Sequence, residues 1–372
     1  MRFLLGILFF VAISSKSLAQ TWHSEVTVFD LPLIIHKPET TTPSEGFETV
    51  VVLKGVGTGP VYQSKDRLVI EVDYSQVKPD PATLAPDVLK LRKELTSKAS
   101  ALTGDSPVNP NRIFILPQGY TLETDIPYDQ QGDRTLSADL MYPLETSGVP
   151  LLIEITCDNV HRMGSGSLLY CQDTLLEMGM FHRFAVAMID HPVAPPYKGI
   201  DDIPVNRISM IRAVETLRKK ARQLGLDTRI GLMGFSRGAT MAVSVASEPG
   251  LVQAALVHGN RFDYTRLLPD DKMMPRFEKA WGPPGEKWVR QSAMHYLSRE
   301  CAPMFLNTSN AESPEYQLGL KQLHDKLTEL GVEHVYQVDS DGRGHRVTTD
   351  PQRIRQIMSF FDQHLRQVLS QQ

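Results

Sequence analysis

From residue 112 onward, short apolar runs alternate with longer stretches of helical character. Several of these runs are continuously apolar, as expected for strands that are buried on both faces. Two helical stretches stand out, "NRISMIRAVETLRKKARQLG" and "YQLGLKQLHDKLTEL". The candidate strands are "YTLETDIPY", "LSADLMYP", "VPLLIEITC", "FAVAMIDHP", "RIGLMGF", "VQAALVHG", "APMFLNTS" and "EHVYQVDS". The alternation predicts an α/β fold with a mostly parallel sheet flanked by helices.

The chain before this region has a different pattern. Residues 20–111 begin with three strand-like runs, "SEVTVFDLPLIIHKP", "FETVVVLKGVG" and "DRLVIEVDY", and continue with one amphipathic helix, "TLAPDVLKLRKELTSKAS". The segment "GDSPVNPN" then breaks both helix and strand, so it marks a boundary. We therefore predict a strand-rich N-terminal extension over residues 20–111, of unknown role, and a main domain over residues 112–372.

Residues 1–19 have the pattern of an export signal. Arg2 precedes an apolar core, and small residues stand at Ser17 and Ala19, where signal peptidase reads the chain. The alternative is a membrane anchor, but the apolar core is shorter than the roughly 20 residues that span a bilayer. We expect a secreted or periplasmic protein with no membrane span after signal removal.

The charge of the chain limits the classes of binding partner that we expect. The formal net charge is -4, and no long Lys/Arg block is present, so neither nucleic acid nor an anionic membrane is an expected partner. A small, uncharged or mildly cationic ligand fits this charge better. The oligomeric state stays open.

The three cysteines, Cys157, Cys171 and Cys301, lack metal-ligand spacing. We expect no metal and no cofactor, because the His and Asp residues of "CDNVHRM" and "IDHP" do not match a metal-binding loop either. An exported chain permits a disulfide between Cys157 and Cys171, and the sequence leaves that pairing open.

The segment "IGLMGFSRGATMAV" contains Gly-x-Ser-x-Gly between a predicted strand and a predicted helix. In this context the glycines permit a tight turn that lifts the serine hydroxyl above the sheet edge, which makes Ser236 a candidate nucleophile. A helix-capping serine in a small-residue turn is the alternative.

A serine nucleophile needs a base within hydrogen-bond reach. His345 lies in "SDGRGHRV", directly after the last predicted strand. Gly342 and Gly344 would let this loop bring the imidazole over the sheet edge, so we predict that His345 is the base.

Further segments give a specific resemblance: "IDHPVAPP", "LGLDTRIGLMGFSRGA", "WGPPGEKWVRQSAMHYLS" and "APMFLNTSNAESP". From about Arg112 to its end, the chain resembles the α/β-hydrolase superfamily. The similar members are exported esterases related to dienelactone hydrolases, acetyl esterases and the catalytic domains of prolyl oligopeptidases. The resemblance implies an eight-stranded, mostly parallel sheet.

The resemblance also implies roles for individual residues. Glu312 stands where relatives have the acid that orients the histidine, and Asp263 is the competing candidate. The oxyanion donors would be the amide of Arg237 and the loop that holds Cys157 and Asp158. Relatives often have His-Gly-Gly-Gly in that loop, whereas this chain has Thr-Cys-Asp-Asn, so the second donor departs from the family pattern.

The expected function is that of a secreted serine esterase which hydrolyses an acetylated carbohydrate or another small ester through a Ser-His-Glu triad. A prolyl-oligopeptidase-like peptidase and a catalytically impaired binding protein are the alternatives. Residues 261–300 should overhang the serine, and we expect Trp281 and Trp288 in this segment to bind substrate, since aromatic side chains offer large rigid surfaces.

The exposed turn predicts that a fluorophosphonate probe labels Ser236, and peptide mass mapping of the labelled protein locates the adduct. The Ser236→Ala variant should remain unlabelled. A binding protein without catalytic chemistry would not react, and an adduct on another residue would contradict the assignment.

Overall fold

The computed structural model describes residues 21–28, 31–75, 91, 108–145, 147–155, 178–193 and 199–366. Two β-sheets organise this part of the chain. Three segments lie outside the described residues: the predicted export signal, both cysteines of the possible Cys157–Cys171 disulfide, and the predicted helix of residues 83–100 apart from Leu91. Cys301 is a buried free thiol.

The first sheet has five strands in the order β1-β2-β4-β3-β5. Strand β3 is parallel to β4 and β5, whereas β2 is antiparallel to β1 and β4. The strands are β1 (Thr21–Val28), β2 (Leu31–His36), β3 (Phe47–Lys54), β4 (Leu68–Asp73) and β5 (Val108–Pro117). The "FETVVVLK" run of β3 is almost wholly buried, as its continuous apolar character predicts.

Strand β5 spans the predicted domain boundary. It begins at Val108, within the segment expected to break the chain, and continues to Pro117. Pro110 is tolerated because β5 lies at the sheet edge, and the pairing of β5 with β3 shifts register there. The boundary predicted between residues 111 and 112 therefore falls inside β5, and the change of sheet lies between Pro117 and Tyr120.

The second sheet has eight strands in the order β13-β12-β11-β10-β8-β9-β7-β6. Six are parallel, and β6 and β7 form an antiparallel edge. The strands are β6 (Tyr120–Gln131), β7 (Arg134–Pro143), β8 (Leu151–Ile155), β9 (Ala185–Ile189), β10 (Ile230–Phe235), β11 (Ala254–His258), β12 (Met304–Ser309) and β13 (His334–Asp339). The prediction of a mostly parallel eight-stranded sheet flanked by helices is confirmed.

Helices lie between the later strands, as the alternating pattern predicts. They are α1 (Ile203–Gln223), α2 (Arg237–Ala246), α3 (Met274–Trp281), α4 (Glu286–Gln291), α5 (Pro314–Leu330) and α6 (Pro351–Leu365). Helix α1 buries Met210, Val214 and Leu217, which the helical repeat places on one face. Of the helices in the described ranges, none is both long and apolar enough to cross a bilayer.

The two sheets share one apolar core. It includes Val51 and Phe114 from the first sheet, Met233 from the second, and Phe361 from α6. A second core, on the other side of the eight-stranded sheet, packs α1, α2 and α5 against the strands. The N-terminal strands therefore cover a face of the main sheet.

An ion pair also joins the two sheets. Arg112 of β5 donates to both oxygens of Asp139 of β7, at 2.6 Å and 3.3 Å, and its Nε donates to Glu48 of β3 at 2.8 Å. The Asp139 side chain is fully buried. A buried carboxylate needs such partners, because removing its charge from water is costly.

We expect Asp139→Asn to lower the free energy of unfolding by about 3 kcal/mol, because it leaves the largely buried Arg112 without its closest counter-charge. Asp125→Asn is the matched control. The Asp125 carboxylate also contacts Arg112, at 3.3 Å, but it is 59% exposed, so its loss should cost below about 1 kcal/mol. Equal urea midpoints for the two variants would contradict the importance of the buried pair.

Candidate active site

Strand β10 passes into helix α2 through a single residue, Ser236. Its φ of 53° lies in the left-handed region, which residues with a side chain rarely occupy. The Ser236 amide donates to the carbonyl oxygen of His258 at 3.3 Å, and the Ser236 carbonyl accepts from Ala239 at 2.9 Å. These bonds hold the turn, and the geometry is that expected of the predicted nucleophile turn.

Steric contacts explain why the first position of the Gly-x-Ser-x-Gly segment, Gly234, is a glycine. A Cβ at Gly234 would lie 2.4 Å from the carbonyl oxygen of Gly238 and 2.7 Å from the Cβ of Ala242. Since neither neighbour is a flexible side-chain end, a larger residue would push α2 away from β10. Glycine therefore lets the helix start directly above the strand.

The structure brings Glu312 and His345 together. Glu312 follows β12, His345 follows β13, and Nδ1 of His345 lies 2.6 Å from Oε2 of Glu312. The other Glu312 oxygen accepts from the amide of Ser313 at 2.8 Å. The carboxylate is almost fully buried, where a charge-assisted hydrogen bond is stronger than in water.

The loop of His345 has the glycine conformations that the sequence suggested. Gly342 and Gly344 have φ of 67° and 64°. Between them, Arg343 donates to Asp339 at 2.7 Å and to Asn307 at 2.8 Å, which ties the loop to β12 and β13. The imidazole itself packs against Phe235 and Tyr316, each with a ring-centroid distance of 4.6 Å.

Asp263, the competing candidate, has a different partner, and so do three other carboxylates at or after strand ends of this sheet. Asp263 accepts from the amide and hydroxyl of Thr265, and so caps the short 3-10 helix Tyr264–Arg266. Asp339 and Asp341 both pair with Arg343, and Asp190 accepts from the amide of Ser137 at 3.1 Å.

Sequence reasoning missed His258, at the end of β11. Burial, with the charges of Arg343 and His345, holds the pKa of His258 well below its ordinary value, so the ring is neutral near pH 7. Its Nε2 lies 3.9 Å from Oε2 of Glu312 and has no hydrogen-bond partner in the described ranges.

Among the described residues, His258, Glu312 and His345 are the one set with ligand atoms close enough to hold a metal ion, within 4.8 Å of one another. Within this set, Oε2 of Glu312 lies 2.6 Å from Nδ1 of His345, which is the distance of a hydrogen bond between the two side chains.

Ser236 and His345 line the same cavity, which has a volume of about 250 Å³. The Glu312 carboxylate reaches its position behind the imidazole because Gly259, after β11, has no side chain: a Cβ there would lie 3.0 Å from Oε2 of Glu312. The other residues of the cavity wall are Gly199, Ile200, Asp201, Arg237, Asn260, Arg261, Tyr264, Met273, Arg276, Phe277 and Tyr316.

The predicted oxyanion donors are described only in part. Arg237 is the first residue of α2, so its amide lies in the N-terminal turn of that helix, next to Ser236. The Arg237 side chain points elsewhere: its Nε donates to Asp201 at 2.8 Å, and it also bonds the carbonyl of Gly199. Cys157 and Asp158 lie outside the described residues.

The structure does not place the two predicted substrate-binding tryptophans on the cavity wall. Trp281 and Trp288 are buried behind Phe277, with Trp281 stacked on it at 4.9 Å and 3°. The indole N–H of Trp288 donates to the carbonyl of Gly282 at 2.9 Å. Residues 261–300 do reach the cavity, through Arg261, Tyr264, Met273, Arg276 and Phe277, whereas the tryptophans fill the core of this segment.

The architecture is similar to that of several solved structures. Esterase B from Lactobacillus rhamnosis superposes with a TM-score of 0.53 at 15% identity, over 78% of this chain and 97% of that chain. A truncated carbohydrate esterase from gut microbiota gives a TM-score of 0.50 at 16% identity, over 66% and 96%. The chain has the α/β-hydrolase fold.

An acylaminoacyl peptidase from Pyrococcus horikoshii has the same α/β-hydrolase fold in part of its length. The TM-score is 0.54 at 13% identity, over 66% of this chain but only 42% of that chain. The protein thus spans less than half of that peptidase. No protein-family model and no curated protein matches the sequence.

In an α/β-hydrolase fold, the carboxyl ends of the parallel strands gather the functional side chains. That rule identified Ser236 after β10 and His345 after β13, and it applies equally to "HGNR" at the end of β11. His258, Gly259 and Arg261 could have been found by this signal. Tyr316 and Arg276 gave no such signal, since they lie on helices.

We expect Glu312→Gln to lower kcat by up to about four orders of magnitude with the fold intact, because the amide no longer holds the required imidazole tautomer. Asp263→Asn should leave kcat close to the wild-type value, since Asp263 only caps a short helix. The two variants are compared side by side under the same conditions. Collapse of activity in Asp263→Asn alone would reverse the assignment.

Proposed function

We propose that this protein is a serine hydrolase that cleaves a carboxylic ester through an acyl-enzyme. The observation that carries the proposal is the 2.6 Å contact between Nδ1 of His345 and Glu312, on an imidazole that shares a cavity with Ser236. Because Nδ1 contacts the acid, we propose that the other ring nitrogen, Nε2, transfers the proton. The strained turn at Ser236 keeps the hydroxyl in the cavity wall.

In the first half-reaction, Oγ of Ser236 bonds to the ester carbonyl carbon while its proton passes to Nε2 of His345. Collapse of the tetrahedral intermediate breaks the bond to the alcohol oxygen, which takes the proton from His345. In the second half-reaction, water attacks the acyl-enzyme, again with His345 as base, and the acid product and free Ser236 are released. The Glu312 carboxylate stabilises the imidazolium that forms in both halves.

The amide of Arg237 supports the proposal as one donor to the developing oxyanion, since it sits at the start of α2 beside the nucleophile. For the second donor we propose an amide of the Cys157–Asp158 loop. The helix dipole of α2 would add to this stabilisation.

An ester is the preferred substrate class for two reasons. Two of the similar structures are named as esterases, one of them a carbohydrate esterase. The N-terminal part of the described chain forms a five-stranded sheet and shows none of the repeated blades that a prolyl-oligopeptidase-type enzyme would use. Acetylated carbohydrates and other small esters are therefore our first candidates.

Peptidase activity is the second candidate, favoured by the similarity to the acylaminoacyl peptidase. We also propose that the protein acts outside the cytoplasm, as a secreted or periplasmic enzyme. The support for this location is the export-signal pattern of residues 1–19.

A substrate panel separates these functions. We expect hydrolysis of p-nitrophenyl acetate and of an acetylated sugar, with loss of at least about a thousandfold in kcat for Ser236→Ala, because the nucleophile is removed. N-acetyl-alanine p-nitroanilide tests the peptidase candidate. A preference for the anilide in kcat/KM would replace the esterase proposal, and activity that survives in Ser236→Ala would refute the serine mechanism.

A further inference from the structure

Three arginines line the cavity that holds Ser236: Arg237, Arg261 and Arg276. Asp201 is the one carboxylate on the wall in the part of the chain that the structure describes. The protein as a whole carries a net charge of -4, so this excess of cations is local. What matters for a ligand is whether each arginine is already neutralised.

Arg237 is neutralised by Asp201, at 2.8 Å. Arg261 forms a two-pronged pair with the buried Asp271, at 2.6 Å and 2.7 Å, and lies 3.4 Å from Glu315. Its guanidinium also stacks over the ring of Tyr316 at 4.9 Å. Acidic side chains of the protein thus hold both arginines in place, and the role of these arginines in the cavity wall is mainly structural.

Arg276 differs from these two. It lies on α3, its side chain is exposed at the cavity, and its one contact is Nη1 with Sδ of Met273 at 3.8 Å. No acidic partner faces it in the described ranges. A thioether is a weak acceptor and carries no charge, so the guanidinium keeps its charge and most of its donors for a ligand.

We propose that the cavity takes esters that carry a carboxylate, and that Arg276 pairs with this carboxylate while Ser236 attacks the ester. The inference rests on the proposed esterase function and adds the substrate class. A planar guanidinium matches a carboxylate with two parallel hydrogen bonds, which gives orientation as well as attraction. Asn260 and Tyr316 line the same wall and carry no charge, so they do not compete with the carboxylate for Arg276.

This inference differs from the expectation based on composition, which favoured an uncharged or mildly cationic ligand. The net charge of the whole chain determines the electrostatic field far from the protein, and salt screens that field over about 10 Å. A ligand inside the cavity responds instead to the side chains that it touches. Of the three arginines on the cavity wall, Arg276 is the one without an acidic partner among the described residues.

The carboxylate can belong to the acyl group or to the alcohol, and two substrate pairs distinguish these sources. Mono-p-nitrophenyl succinate and its methyl ester place the charge, or its neutral counterpart, on the acyl side. 4-Acetoxybenzoate and its methyl ester place it on the leaving group. The measured quantity is the ratio of kcat/KM for the acid to that for the methyl ester, in wild type, Arg276→Gln and Arg276→Lys.

In at least one pair we expect Arg276→Gln to lower this ratio by about tenfold relative to wild type, because one charge-assisted contact is lost. The ratio for Arg276→Lys should lie between those of wild type and Arg276→Gln, because lysine keeps the positive charge. Because the same acid-to-methyl-ester ratio is compared between variants, differences in the intrinsic reactivity of the esters cancel. Arg299→Gln is the matched control, because Arg299 is also exposed but lies outside the cavity, and it should keep the wild-type ratio.

The outcomes separate this inference from the function on which it rests. If wild type hydrolyses the methyl esters through Ser236 but its ratio is unchanged in Arg276→Gln for both pairs, the carboxylate proposal is wrong and the esterase proposal stands. If the ratio falls equally in Arg299→Gln, a general charge effect replaces the proposed contact. If none of the four esters is hydrolysed, both proposals fail.

Discussion

The turn at Ser236 forces a residue with a side chain into a backbone conformation that costs about 1 to 3 kcal/mol. The surrounding structure has to hold it there. Strand β10 lies inside the eight-stranded sheet and is buried along its whole length, and residues 238–246 of α2 are buried as well. The absence of a side chain at Gly234 lets these two elements meet above the strand end. Burial of strand and helix thus stabilises the strained turn, which in return presents the serine at the sheet edge.

The parallel sheet then determines where the partners of Ser236 come from. Strands β11, β12 and β13 run parallel to β10, so their carboxyl ends meet at the same edge. Each contributes one part: the side-chain-free Gly259 after β11, the buried acid Glu312 after β12, and His345 after β13. Because the carboxylate lies behind the imidazole and away from water, its hydrogen bond is strong enough to fix the ring.

The electrostatics of the cavity depend on the same elements. Asp201 and Asp271 each neutralise an arginine, so that two of the three guanidinium groups at the cavity serve the protein itself. Arg276 projects from α3, a helix of the segment between β11 and β12, and has no such acid in the described ranges. The proposed chemistry of the serine thus depends on residues that follow the strands of the sheet, whereas the proposed choice of substrate depends on the segment between β11 and β12.

Much of this arrangement was readable from the sequence. Continuous apolar runs predicted the central strands β8, β9, β10 and β11, which are buried on both faces. Ser236 and His345 were predicted because each lies in a glycine-containing segment that follows a predicted strand. Glu312 came from a family resemblance. The boundary predicted near residue 111 falls within β5, because an edge strand tolerates a proline that in the sequence indicates a break.

The sequence by itself determined the local features of the protein: the alternation of strands and helices, the strained serine turn, and the glycines around His345. Only the tertiary structure decided which side chains face one another. Trp281 and Trp288 have the composition of a binding surface, yet they pack behind Phe277. Nothing in the sequence distinguishes Arg276 from other exposed arginines, and only the fold places it on the wall of the cavity that also contains Ser236. The physical reason is that backbone preferences and burial act over a few residues, whereas pairing and exposure depend on segments far apart in the chain.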